Sequence, residues 1–180
     1  MALSGSLRAE SSNSALLRAW ARMAPEGVDI AFYEGLAGLP PFDPGLDLDP
    51  TDYHAPEPVV ELRRRLLEAD GLLLCSPEYA FGMPGVLKNL LDWTVSMNAL
   101  DRMPIAFMVA SPLAGGGAKA HQGLLWVLRA LNVDVVKGAS FRVDRIRTRM
   151  NQDGQIIDPP TARRLAKALE AVVNRIKGLR

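Results

Sequence analysis

Gly71–Trp93 reads GLLLCSPEYAFGMPGVLKNLLDW. Gly71–Cys75 is a continuous apolar run without polar alternation, as in strands buried on both faces of a sheet. Pro77, Gly82, Pro84 and Gly85 then hold an extended loop, and Pro84–Gly85 opens a helix. Proline suits a first helical turn because its missing N–H would have had no intrahelical partner. A buried strand, a rigid loop and a helix in succession point to an alternating α/β chain.

The flanks repeat the alternation. Upstream, Met1–Ser4 is a short apolar start before a Gly/Ser/Arg loop, and Ser12–Ala24 places Ala15, Leu16, Ala19, Trp20 and Met23 at helical spacing. Val28–Tyr33 reads as a strand, Glu34–Pro58 as a long Pro/Gly/Asp-rich loop, and Glu57–Ala69 as a helix. Downstream come a buried strand at Ile105–Ala110, a glycine turn at Gly115–Gly117, a helix through Leu131 and a fifth strand at Asp134–Val136. Arg142–Met150 and Gln155–Ile157 read as a hairpin about Asp153–Gly154, and Thr161–Ile176 as a closing amphipathic helix. No repeat is visible. With 180 residues the expectation is one domain, 1–180, around a mostly parallel sheet.

Composition removes several function classes. Twenty-one basic against 20 acidic residues leave a net charge of +1, too little field for gripping nucleic acid or an anionic membrane. One cysteine, Cys75, excludes an intrachain disulfide, and with two separated histidines, His54 and His121, no zinc-ligand spacing exists. No metal is expected. The start, MALSGSLRAESS, lacks the pattern of a secretory signal, and no apolar run approaches the ~18 residues of a membrane span. A cytoplasmic location is the expectation.

Ligands of parallel sheets bind where loops leave the carboxyl ends of strands, and three such loops carry chemistry. In GSLRAESSN, Gly5–Asn13, Ser6, Ser11, Ser12 and Asn13 supply short polar groups and Arg8 a guanidinium. They precede a helix N-terminus, so an anion such as a phosphate suits the loop. The same residues would serve an ordinary capped turn with Arg8 in solvent. Neither G-x-x-x-x-G-K-[ST] nor G-x-G-x-x-G is present, which removes the usual nucleotide loops. In the second loop, SPEYAFGMPGVLKNLLDW (Ser76–Trp93), outward amides of the rigid stretch before the helix could meet the edge of a flat heterocycle, with Tyr79 and Phe81 as apolar surface. In the third, SPLAGGGA (Ser111–Ala118), three glycines permit close backbone approach.

Ser6-Leu7-Arg8 with Ser11 and Asn13, then Pro77-Glu78-Tyr79, Pro84-Gly85, Leu87-Lys88-Asn89 and Asp92-Trp93, resemble the NADPH-dependent FMN reductase family over most of the chain. The resemblance implies a flavodoxin-like three-layer sandwich, a five-stranded parallel sheet with helices on both faces. It implies FMN phosphate contacts at Ser6, Arg8, Ser11 and Asn13, and ring contacts along Pro77, Glu78, Tyr79, Ala80, Phe81 and Gly82, largely through backbone amides. Ser111 and Gly115 of the third loop are expected beside the flavin. Many members have asparagine where this chain has Ala80. Only four residues precede Gly5, whereas strands usually have ~5–6, so either the first strand is clipped or the true start lies upstream.

The expected function is that of an FMN-dependent oxidoreductase using NADPH or NADH and a small-molecule acceptor such as a flavin, quinone, azo compound or metal oxyanion, by ping-pong transfer. No side chain is expected to act as acid, base or nucleophile, since the flavin carries the chemistry. The alternative is a flavodoxin-type electron carrier, disfavoured by near-neutral charge and by Arg8 in the phosphate loop. Arg145, Arg147 and Arg149 alternate and would share one face of a strand, either solvated or meeting an acidic surface or the extra phosphate of NADPH. Arg63–Arg65 is expected on the wet side of a helix, and Cys75 as inert packing. Apolar residues on two sides of the helix from Gly85 (Val86, Leu90, Trp93, Met97; Leu87, Leu91, Val95) and in Leu124–Leu128 predict a homodimer or homotetramer. The alternative is that Glu34–Pro58 covers these faces within one chain.

Overall fold

A computed structural model of the chain describes residues 1–47, 55–96 and 98–179. In order come β1 (Ala2–Ser4), α1 (Ser12–Ala21), β2 (Phe32–Tyr33), α2 (Glu57–Leu67), β3 (Leu72–Ser76), α3 (Gly85–Asp92), β4 (Pro104–Ala110), α4 (Ala118–Ala130), β5 (Asp134–Val143), a single turn α5 (Ile146–Arg149) and α6 (Pro159–Lys177). All strand pairs are parallel and the sheet order is β2-β1-β3-β4-β5. The chain winds outward from β1 to β2, then crosses back to β3 and winds the other way.

Alternation along the strands sorts the core into two layers. Leu3, Leu72, Leu74, Ile105, Phe107 and Val109 face the layer that holds Val59, Leu62 and Leu66 of α2, Leu87 and Leu90 of α3, and Leu124 and Leu128 of α4. Ala2, Leu73, Cys75, Ala106, Met108 and Phe141 face Leu16 and Trp20 of α1 and Leu165, Leu169 and Val172 of α6. Successive strand residues point to opposite faces, so an unbroken apolar run is what a sheet covered on both sides requires. Trp20 locks the second layer: its ring meets Phe141 edge-on at 6.1 Å and its indole N–H donates to Leu165 O at 2.8 Å. This is the flavodoxin-like sandwich expected above.

Five expectations need correction. The strand at Val28–Tyr33 contracts to Phe32–Tyr33, because its pairing with β1 extends only over Ala2↔Phe32 and Leu3↔Tyr33. The fifth strand runs to Val143, continued past an irregularity opposite Ile105–Phe107 by Gly138 at φ +80°. Arg142–Met150 is therefore not a hairpin arm. Arg145 takes φ +49°, the chain turns through α5, and a single antiparallel bridge, Met150↔Ile156, remains of the hairpin. The three alternating arginines share no strand face. Finally, Arg64 and Arg65 lie exposed and pair with Glu61 and Glu68, but Arg63 is buried and ion-paired with Asp47.

The apolar surplus on α3 is covered largely from within the chain. Leu36 and Leu39 join its core layer, and Phe42 packs edge-on against Trp93 at 5.0 Å. Asn89 accepts from Phe42 N–H at 2.7 Å and donates to Pro40 O at 2.8 Å, and Trp93 Nε1 donates to the same carbonyl at 2.9 Å. The Asn89 and Trp93 of the recognisable motif thus pin the long loop. Val95 and Trp126 stay exposed, at 54% and 64%; Met97 and His54 lie outside the described residues.

Candidate functional site

The loops after β1, β3 and β4 leave the same edge of the sheet, at the point where winding reverses between β1 and β3. Gly5 lets the first two meet: a Cβ there would lie 3.0 Å from Leu87 Cδ2 and 3.3 Å from Ser76 Oγ. Gly5 N–H donates to Cys75 O at 2.8 Å, carrying the ladder one residue past β1.

Within the first loop, Ser11 is the N-cap of α1, its hydroxyl accepting from Ser14 N–H at 3.3 Å. Ser6 Oγ accepts from Arg8 N–H at 3.3 Å, which curls the loop. The N–H groups of Ser12 and Asn13 have no partner among the described residues, as at any helix start. The first turn of α1 holds no acidic residue to compete for them. Arg8 is exposed, and its guanidinium makes no hydrogen bond or ion pair among the described residues. This end of the site can accept an anion.

Asn13 behaves differently from the expectation of a side-chain phosphate ligand. Its buried amide donates to Ala110 O at 3.4 Å and accepts from the Cys75 thiol at 3.3 Å, tying α1 to β3 and β4. Complete burial pushes the Cys75 thiol far above the ordinary range, so it stays protonated and inert. What Asn13 offers a ligand is its backbone N–H.

In the second loop, Tyr79 and Gly82 exchange two backbone hydrogen bonds, both 2.9 Å, around Ala80 at φ +46° and Phe81 at φ +61°. Two successive positive-φ positions form a tight turn normally written with Asn and Gly; alanine and phenylalanine there are strained. The turn thrusts Tyr79 and Phe81 outward, 53% and 79% exposed. It also occupies the N–H groups of Tyr79 and Gly82, while those of Ala80 and Phe81 have no partner among the described residues. Glu78 accepts from Gly117 N–H at 3.1 Å and from Ala120 N–H at 2.9 Å. Its carboxylate therefore caps α4, which has no side-chain cap of its own, and bolts the second loop to the third.

The third loop is held closely. Ser111 is buried and its hydroxyl accepts from Leu113 N–H at 3.2 Å. Gly117 has φ +86°, and a Cβ there would come within 2.9 Å of Val109 Cγ1. Gly115 donates its N–H to Asp144 at 3.1 Å and accepts from Arg142 at 3.1 Å. His121, one turn into α4, stacks on Phe107 with ring centroids 4.8 Å apart, and its buried Nε2 has no partner. Burial, and then the charges of Arg142 and Arg164, lower its pKa and favour the neutral ring.

The structure thus brings Ser6, Arg8, Ser11 and the Asn13 amide to one side of the switch point. Pro77, Glu78, Tyr79, Ala80, Phe81 and Gly82 lie on the neighbouring strand's loop, and Ser111 and Gly115 beyond them. Asp144, Arg142 and His121 were not anticipated. Arg142 lies near the end of, and Asp144 just after, a strand whose end the sequence pattern misplaced, and a single histidine in an apolar helix carries no spacing signal. Among the described residues no group of His, Cys, Asp and Glu could hold a metal, and no helix is long and apolar enough to cross a membrane.

A sequence model of the NADPH-dependent FMN reductases matches residues 1–148. A 2-hydroxy-1,4-benzoquinone reductase of a Burkholderia species is 32% identical over 89% of this chain and 86% of its own length. A quinone reductase of Escherichia coli K12 is 28% identical over 94% and 90%. Among solved structures, the flavoenzyme NAD(P)H:(acceptor) oxidoreductase FerB of Paracoccus denitrificans superposes with a TM-score of 0.78 at 26% identity, covering 98% of this chain and 96% of that one. An anion-accepting helix start beside a loop of unpaired amides and exposed aromatic rings, among the described residues, fits the two ends of a flavin mononucleotide, and the chain belongs to the NADPH-dependent FMN reductase family.

Proposed function

We propose that the chain reduces small flat acceptors, quinones foremost, with electrons from NAD(P)H. Ser6, Arg8, Ser11 and the amides of Ser12 and Asn13 hold the FMN phosphate, and Pro77–Gly82 carries the ring, with Ser111 and Gly115 on its far side. One juxtaposition supports this most: unpaired helix-start amides and a free Arg8 on β1's loop stand next to a strained, aromatic-tipped turn on β3's loop. When bound, FMN supplies a ring that takes hydride from reduced nicotinamide and gives electrons to a second molecule. The protein's part is to bind, orient and leave one face open.

No side chain is assigned a proton transfer. Glu78 is committed to α4, and the rings of Tyr79 and Phe81 stand exposed at the tip of the second loop. An exposed aromatic rim suits flat molecules of varied outline, and two relatives are named for quinones. Donor and acceptor take turns in that space. Initial rates over a grid of NADPH and 1,4-benzoquinone concentrations are expected to give parallel double-reciprocal lines; intersecting lines, or no quinone turnover, overturn the reading.

We also propose a homodimer or a dimer of dimers in the cytoplasm. Phe81, Leu113 and Trp126 are 79%, 70% and 64% exposed, large apolar surface for a lone chain to leave in water. Sedimentation equilibrium at micromolar concentration decides this: an active, flavin-bound species of 19.6 kDa refutes it.

A further inference from the structure

Gly115 is the one residue of the third loop whose peptide is held on both sides by side chains. Its N–H donates to Asp144 Oδ2 at 3.1 Å, and its carbonyl accepts from Arg142 Nη1 at 3.1 Å. Gly115 takes φ +64°, and Gly116 N–H donates to Leu113 O at 3.2 Å within the same turn. Asp144 is itself held. Arg149 Nη2 donates to Asp144 Oδ1 at 2.5 Å, and Arg149 Nε donates to the Asp144 carbonyl at 2.6 Å.

The chain of contacts continues outward. Arg149 Nη1 donates to Asp158 Oδ2 at 2.9 Å, and Asp158 is the N-cap of α6, accepting also from Thr161 N–H at 2.9 Å and Thr161 Oγ1 at 2.5 Å. All three guanidinium nitrogens of Arg149 thereby donate within the chain, using three of its five N–H groups. Exposed Arg145 and Arg147 have no carboxylate partner among the described residues. A fixed planar fork between two carboxylates is what arginine does better than lysine. Side-chain exposures of 24–32% for the three members shield the network partly from water. Arg149 and Asp158 also lie beyond residue 148, where the family match ends.

We propose that Arg149 is a positioning residue: anchored on the cap of α6, it holds Asp144 in the orientation that fixes the Gly115 turn, and through that turn it sets FMN affinity. The inference rests on the third loop lining the flavin site. It assigns Arg149 no contact with flavin or substrate. The Asp144 carboxyl lies below its ordinary range, first because of the Gly115 N–H and next because of Arg149, in keeping with a carboxylate charged while it holds the loop.

The test uses R149M in the full chain. In the apoprotein, exchange of the Gly115 amide is expected to quicken about tenfold, and FMN affinity to fall by a similar factor, within the range of coupling along such networks. The acid-side loss of FMN affinity is expected at higher pH in R149M than in wild type, because Asp144 has lost a donor that favours its charged form. A merely structural role would lower melting temperature without moving that profile. D158S keeps a capping hydroxyl on α6 while releasing Arg149 Nη1, and is expected to shift the same readouts less. Gly115 exchange and FMN affinity unchanged in R149M overturn the proposal; if R149M does not fold, wild-type exchange in D158S overturns it. Wild-type protein that binds no FMN would refute the flavin-site assignment, and the Gly115 exchange comparison would still judge the contact between Arg149 and the loop.

Discussion

Arg8→Ala separates the flavin site from the fold. The guanidinium is exposed and unpartnered among the described residues, so removing it deprives no protein group of a hydrogen bond. The contact that curls the loop runs from the backbone N–H of residue 8 to the Ser6 hydroxyl and survives the substitution. Melting temperature should therefore stay put. Against a bound phosphate the loss is a charge-assisted hydrogen bond, about 1.5–3 kcal/mol, and solvent exposure puts the expectation at the low end, about tenfold in affinity. Fluorescence titration of apoprotein with FMN and, separately, with riboflavin isolates the cause. Wild type should prefer FMN, and R8A should lose most of that preference while riboflavin binding changes little. Added salt should weaken FMN binding to wild type more than to R8A. Equal losses for FMN and riboflavin, or none for either, would refute the phosphate assignment.

At the strained turn, Ala80→Asn should raise stability by about 1 kcal/mol, since asparagine accepts left-handed backbone that alanine resists; equal denaturation midpoints would mean the turn is relaxed. Arg63→Met should cost about 3–5 kcal/mol, because Asp47, 4% exposed, would keep only Ser96 as partner among the described residues; urea unfolding measures it, and adding Asp47→Leu should restore much of the loss. For His121 the pKa in the folded protein lies below 6.5. The unfolded chain then takes up a proton that the native state refuses, so this stability is fully present above 6.5 and falls as pH drops from 6.5 towards the folded value. His121→Phe should flatten the melting temperature between about pH 7 and about pH 5; an unchanged slope would count against it.

The doubly wound sheet was legible because buried parallel strands and amphipathic helices write different periods. Gly71–Cys75 and Ile105–Ala110 could be read directly from runs of apolar residues. What failed lies where tertiary contacts outvote local pattern. Arg142–Met150 alternates like a strand, yet Arg145 turns left-handed and Asp144 and Arg149 close the α5 turn across themselves. Arg63 looks identical to its neighbours in sequence, and only the return of the long loop with Asp47 buries it. At the site, the residue types and their loops were foreseeable, but the use of each side chain was not. Asn13 turned inward to Cys75 and Ala110, and Glu78 crossed to cap α4. Both depend on which loops become neighbours, and no local spacing encodes that.

Reduction of the bound flavin tests the central claim most directly. Purified protein is reconstituted with FMN, freed of excess by gel filtration, and titrated with NADPH under argon while the visible absorption is followed. The account predicts yellow protein that retains about one FMN per chain, bleaches on adding about one equivalent of NADPH, and recovers its colour when a quinone is admitted. Protein that elutes colourless, or that stays yellow in excess NADPH yet bleaches with a chemical reductant, would contradict it.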